Sequence, residues 1–222
     1  MAPFGKVYTY PNNPRAQKIQ AAAKINGLEI EIAPGFEMGK TNKTPEFLAK
    51  FPTGKVPAFE GAAGVNLVES DAIMQYVAES GPRAAQLVGK DAAERARVQQ
   101  WVLYQASELW PEMMKLLLPR AGFVPFDEAV EKKALDKMAK AMDTIERALE
   151  GRSWLALDTL SIADLAVMSV FTWGFKSAVD EEMRSKYPKL MEWFFRTLRA
   201  ENVNEFFPTA EKEMCAVRQI PS

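Results

Sequence analysis

Between Lys50 and Ile73 the chain reads KFPTGKVPAFEGAAGVNLVESDAI, and this stretch holds the residue types that could grip a small peptide-like ligand. Phe51-Pro52-Thr53-Gly54 predicts a turn. Val56-Pro57-Ala58-Phe59 predicts an extended run in which Pro57 takes an end or edge position, because it has no N–H to give to a ladder. If the Val56–Pro57 bond is cis, the N–H and C=O of Val56 face outward and can pair with another extended peptide. Gly61 to Gly64 supplies a hairpin turn, and Val65, Leu67 and Val68 then form a second short strand. Glu69-Ser70-Asp71 follows, with Ser70 as the N-cap of a helix beginning at Ala72-Ile73. Free N–H groups at a helix start attract an anion, so a carboxylate docked there would meet backbone donors as well as the Ser70 hydroxyl.

Other elements must position that stretch. Lys6 to Tyr10 reads as a short strand, and Pro14 to Ile25 as a helix with Asn13 as N-cap, Pro14 at the favoured first position and Gly27 closing it. Leu28 to Ile32 alternates apolar and acidic residues, the period of a half-exposed strand. Thr44-Pro45-Glu46 opens another short helix that runs to Lys50. Residues 1–80 thus predict a β-α-β-α-β-β-α domain whose first two strands are parallel, as a helical crossover demands. Ser80-Gly81-Pro82 breaks the pattern, residues 81–90 read as a linker, and residues 91–222 predict only helices. Asp91 to Leu118 carries one broad apolar face with a kink expected at Pro111, and Asp127 to Glu150 is strongly amphipathic. Ser161-Ile162-Ala163-Asp164 is a capping box with Asp in place of Glu, and Leu160 and Leu165 stand at staple spacing. The helix it opens is apolar nearly all round to Phe175, which makes it the expected buried centre. Tyr187 to Ala200 and Asn202 to Cys215 complete the predicted bundle.

Composition narrows the chemistry. The 222 residues are 48% apolar, enough for a sizeable core, and 28 Lys and Arg against 29 Asp and Glu leave a formal charge of -1. That balance advertises neither nucleic acid nor an acidic membrane. There is no histidine, which removes Ser-His-Asp hydrolysis, His-based zinc chemistry and phosphohistidine transfer. The single cysteine, Cys215, excludes an internal disulfide and a Cys-based metal site, and it suits a reducing compartment. The N-terminus lacks the pattern of a secretory signal, and no apolar run approaches the ~20 residues of a membrane helix. A cytoplasmic protein is the expectation.

A proline-ended edge strand followed by Glu-Ser at the opening of a helix resembles the glutathione site of the glutathione transferase superfamily. More narrowly, VYTYPNN near the start, then KTNKTPEFLAKFPTGKVPAFEG and LVESDAI, are similar to the transferase-like N-terminal domain of the translation elongation factor 1 gamma subunit. The capping-box helix at Ser161 is a hallmark of the superfamily's helical half, so the likeness reaches both ends of the chain. It implies an α/β thioredoxin-like N-terminal domain followed by an all-α helical-bundle domain, glutathione as co-substrate, no metal, and a twofold homodimer. Under this resemblance Val56, before Pro57, pairs its backbone with the cysteinyl part of glutathione. Glu69 and Ser70 hold the γ-glutamyl end, and Lys43 and Lys55 meet the glycyl carboxylate or are ordinary surface lysines.

Superfamily members place a thiol-activating Tyr, Ser or Cys after the first strand, and here the serine position falls on Asn13. Asn13 either donates to the sulfur through its amide or simply caps the helix. Tyr10 is the alternative activator or a packing residue, and Arg15 either supplies positive charge near the sulfur or is solvated. A free cysteine thiol has a pKa near about 8.5, and lowering it by two units takes about 2.7 kcal/mol, which one well-placed donor could supply. Trp110, Met113, Met114 and Phe123 read as core or dimer packing or as a pocket for an apolar second substrate.

Two functions follow. One is a glutathione transferase that conjugates the thiolate to an apolar electrophile, as in detoxification. The other is a scaffold module that binds elongation factor subunits and is catalytically weak or inert.

Overall fold

The structure, a computed structural model, describes residues 3–62 and 64–221. The N-terminal layer is a mixed sheet of β1 (Gly5–Tyr8), β2 (Ile30–Ile32), β3 (Ala58–Gly61) and β4 (Asn66–Val68) in the order β2-β1-β3-β4. β1 runs parallel to β2, with Gly5 opposite Ile30, and antiparallel to β3, with Val7 opposite Phe59. The connections α1 (Pro14–Ile25), α2 (Pro45–Lys50) and α3 (Ser70–Glu79) complete a thioredoxin-like domain. α1 starts where the Asn13-Pro14 pair predicts, with Asn13 Oδ1 accepting from Arg15 N at 3.1 Å.

Several boundaries differ from the sequence expectation. β2 begins only at Ile30 because Leu28 is still part of the helix end: its N–H bonds Ala23 O at 2.8 Å across Gly27, which has φ +70°. β4 begins at Asn66, since the carbonyl of Val65 serves the turn by accepting from Gly61 N at 2.8 Å. α3 begins two residues earlier than expected. Glu69 is its N-cap, with φ 68° and ψ 114°, and Ser70 is the first helical residue. The 81–90 stretch contains a further helix, α4 (Ala84–Val88), whose Leu87 and Val88 are buried. Before it, Gly81 passes so close to Asn26 that a Cβ would lie 2.6 Å from its carbonyl oxygen.

The helical domain follows. Instead of one kinked helix, residues 92–120 form α5 (Ala92–Tyr104), a widened π turn (Gln105–Leu109) and α6 (Trp110–Arg120). Pro111 has no N–H to return to the carbonyl four residues back, and the turn opens just before it, with Trp110 N bonding Gln105 O. α7 (Glu128–Ala148) is capped by Asp127 Oδ1, which accepts from Ala129 N at 2.9 Å and Val130 N at 3.1 Å. α8 (Ile162–Ser177) is buried on nearly every side. Asp164 beneath its first turn is fully enclosed and accepts from Leu155 N, Ser161 N, Ser161 Oγ and Trp193 Nε1 at 2.8–3.0 Å. α9 (Glu181–Ser185) and α10 (Pro188–Arg199) complete the bundle.

The helix expected over 202–215 does not form. Glu201 and Asn202 have φ 49° and 62°, outside the right-handed helical region, and Pro208 removes a donor further on. The chain leaves a short 3-10 turn and runs back along the end of α8, with Cys215 N on Phe175 O at 2.8 Å and Gln219 N on Ser177 O at 3.0 Å. Cys215 therefore sits in this returning strap rather than in a helix. The two domains share α1, whose run of small buried residues (Ala16, Ala21, Ala22, Ala23) packs against both α3 and α8. Among the described residues, no helix is long and apolar enough to cross a membrane, and no group of three metal-ligating side chains converges.

Candidate functional site

The site grows out of three backbone features. The Val56–Pro57 peptide is cis. The turn before it is fixed from behind by Asn42, which is buried and donates from Nδ2 to Gly54 O at 2.6 Å while its Oδ1 accepts from Gly39 N at 2.6 Å. Gly54 supplies the φ of +59° that the turn requires. Across from it the Glu69 cap turns the chain sharply into α3, whose first N–H groups have no intrahelical acceptor.

Arg15, Lys55, Val56, Pro57, Glu69 and Ser70 come together around one cleft of about 90 Å³, with Thr53 and Val68 beside them. The cleft offers an unladdered backbone at Val56, a hydroxyl and helix N-terminus at Ser70, two cations and one carboxylate. The Arg15 guanidinium lies 4.5 Å from the centre of the Trp110 ring, so an aromatic from the helical domain supports it.

Behind α3, Lys18 is completely buried and donates to Asp71 Oδ1 at 2.6 Å, while Gln105 Nε2 of the π turn donates to Asp71 Oδ2 at 2.9 Å. Burial pushes the Lys18 ammonium down from its ordinary pKa, and the Asp71 carboxylate opposes this. The carboxylate one residue after Ser70 is thus held by a group from each domain.

The remaining expected site residues stand elsewhere. Lys43 is exposed in the 3-10 turn Thr41–Lys43 and is not among the residues around the cleft. Asn13 is 2% exposed, and its amide is engaged twice, by Arg15 N and by Thr9 Oγ1, which accepts from Nδ2 at 3.1 Å. Tyr10 is half-buried; burial raises its phenol pKa, and Arg15 partly offsets the rise. Both residues border a second cavity of about 480 Å³. Trp110 and Met113 are buried in the core, and Phe123 is exposed.

Asn42, Lys18 and Gln105 were not anticipated. Lys18 does leave a trace in the sequence, since it is a charge set among the small and apolar residues of α1's buried side. Asn42 and Gln105 leave none, because their roles depend on loops and helices meeting from distant parts of the chain.

Residues 3–79 match the family model for the glutathione S-transferase N-terminal domain, and residues 109–201 match that for the C-terminal domain. The chain belongs to the glutathione S-transferase family. A glutathione S-transferase-like protein of Fusarium sp is 49% identical to it over 93% of this chain and 94% of its own length. The elongation factor 1-gamma of Danio rerio is 34% identical over 86% of this chain and 42% of its own length. The crystal structure of the GST-like domain of elongation factor 1-gamma from Saccharomyces cerevisiae superposes with a TM-score of 0.81 at 25% identity, covering 100% of this chain and 99% of that one. In glutathione S-transferase terms, the cleft lies within the N-terminal domain, and its supports at Trp110 and Gln105 come from the segment where the C-terminal domain begins.

Proposed function

We propose that this chain is a glutathione transferase that binds glutathione in the cleft between Val56 and Ser70 and delivers its thiolate to an apolar electrophile. The observation that carries the reading is the convergence of Arg15, Lys55, Val56, Glu69 and Ser70 on one cleft beside the cis Val56–Pro57 bond. In this reading the extended cysteinyl segment pairs with the Val56 backbone. The γ-glutamyl carboxylate meets Ser70 and the start of α3, and Lys55 meets the glycyl carboxylate. The Arg15 guanidinium stabilises the thiolate electrostatically, and the proton leaves to solvent, since no histidine exists to take it. The sulfur then forms the new C–S bond with the electrophile, and the displaced group departs with the electron pair.

A second reading, a scaffold module that assembles with elongation factor subunits, is supported by the 34% identity to elongation factor 1-gamma. The higher identity to the fungal transferase-like protein over nearly its whole length favours the enzyme. By the family's habit the active form is a homodimer in the cytoplasm.

Calorimetry with glutathione, together with a conjugation assay on 1-chloro-2,4-dinitrobenzene, tests the proposal. Binding with turnover, both weakened by Ser70→Ala and Arg15→Leu, is expected. Comparing Asn13→Ala with Tyr10→Phe then tests whether either contributes to thiol activation. Absence of glutathione binding overturns the proposal and favours the scaffold.

A further inference from the structure

Arg15 is a cation without a counter-ion. It stands half-buried in the first turn of α1 and lines the glutathione cleft. Its backbone N–H is bonded to Asn13, yet among the described residues its guanidinium has no salt-bridge partner and no hydrogen-bond acceptor. What it meets instead is the face of Trp110, 4.5 Å from the ring centre. The carboxylates of the neighbouring elements are placed otherwise. Asp71 of α3 accepts from Lys18 and Gln105, and Glu112, two residues past Trp110, accepts from Lys115 and Lys137 at 2.9 Å. Glu108 is exposed in the widened turn, and Glu69 lines the cleft together with Lys55. Tyr10, in the loop before α1, keeps its proton more firmly than an ordinary phenol because it is buried, and Arg15 partly offsets this.

Trp110 is fixed in place. It is 5% exposed, it opens α6, and its N–H reaches back to Gln105 O across the widened turn. Its indole N–H is buried and has no acceptor among the described residues. An unpaired buried donor is costly, and Phe or Leu would fill a core position without that cost. What the indole supplies beyond them is the aromatic face that attracts a cation most strongly.

We propose that Trp110 is a positioning residue: it holds the Arg15 guanidinium at the glutathione cleft, so that the helical domain governs how readily the bound thiol gives its proton to solvent. The inference rests on the glutathione reading above and extends it from the cation that meets the sulfur to the group that keeps the cation there. Stacking orients the planar guanidinium and leaves its charge intact, whereas a carboxylate partner would cancel the charge that a thiolate needs.

The test follows the thiolate absorbance of glutathione bound to the full chain as pH is varied. Trp110→Leu is expected to lower the thiolate fraction at neutral pH, and kcat with it, by about threefold or more, with KM for glutathione little changed. Trp110→Phe keeps a ring and recovers part of the loss. In an Arg15→Leu background, Trp110→Leu changes the thiol titration no further. Thermal unfolding checks each variant. Should Trp110→Leu not fold, the chain is made with fluorinated tryptophan, which keeps the shape of the ring and weakens its face; the thiolate fraction then falls in the wild type and not in Arg15→Leu. A thiol titration that neither change moves in folded protein, or that moves equally with and without Arg15, overturns the inference while the glutathione reading stands. Glutathione failing to bind the wild type overturns that reading and the inference with it.

Discussion

Glu69 holds φ 68° and ψ 114° with a full side chain, a backbone region that costs about 1–3 kcal/mol outside glycine. A residue kept there at the mouth of a cleft points to a use for its carboxylate or for the sharp turn it makes. Glu69→Gly is therefore expected to leave the melting temperature unchanged or to raise it, while glutathione binding weakens. Loss of stability alongside binding would show the carboxylate to be a packing group.

Tyr8 gives a second residue-level test. Its hydroxyl donates to Glu60 Oε2 at 2.7 Å, and burial, followed by that bond, pushes its pKa up to about 12. The folded state keeps this proton beyond the ordinary phenol value of 10.0, so the stabilisation is complete below that value and is lost as pH rises to about 12. Absorbance at the phenolate band should show Tyr8 among the tyrosines that titrate late, together with Tyr187, whose pKa burial also pushes up to about 12, and Tyr8→Phe should reduce that late step by one tyrosine. Lys55, Val56 and Ser70 were legible as neighbours because turn and cap chemistry lie in nearby letters, and Arg15 joins them from the first turn of α1. Tyr10 and Asn13 are as near along the chain, yet they border another cavity, because the side from which a side chain leaves a loop is set by tertiary packing.

At the scale of elements, local signals held where they could be completed locally. The Asn13-Pro14 start of α1, the Thr44 cap of α2, which accepts from Phe47 N at 3.2 Å, and the box at Ser161 each close within a few residues. The signals failed where a distant partner decides. In the 92–120 run the break at Pro111 was legible, but not that it takes the form of a widened turn, and the 202–215 stretch carries helix formers that bond to the end of α8 instead. α9 is too short to show a period. Asp164 exemplifies both levels, because its box was legible and its bonds to Leu155 N and Trp193 Nε1 were not. Asp164→Ala strands these buried donors and should cost about 3–5 kcal/mol in urea unfolding. A loss below about 1 kcal/mol would mean that water replaces the carboxylate.

For the molecule as a whole, the composition and the order of β-α and all-helical segments were enough to read two layers, whereas the contacts that join them were not. Lys18, Asp71 and Gln105 form one such junction, and Arg83 forms another by bonding Ile25 O and pairing with Glu201 at 2.5 Å. Asp71→Ala leaves the fully buried Lys18 without its counter-ion and is expected to cost about 3–5 kcal/mol. Adding Lys18→Met to that variant should recover much of the loss, measurable as a double-mutant cycle; simple additivity would show that the pair is not coupled.

The same junction governs how the molecule responds to heat. Because Asp71 follows Ser70 directly and is gripped by a lysine from one layer and a glutamine from the other, the first turn of α3 cannot melt without loosening both. A ligand seated there lends its binding free energy to the cooperative unit by mass action, so the two layers should unfold in a single calorimetric peak that moves upward together with ligand concentration.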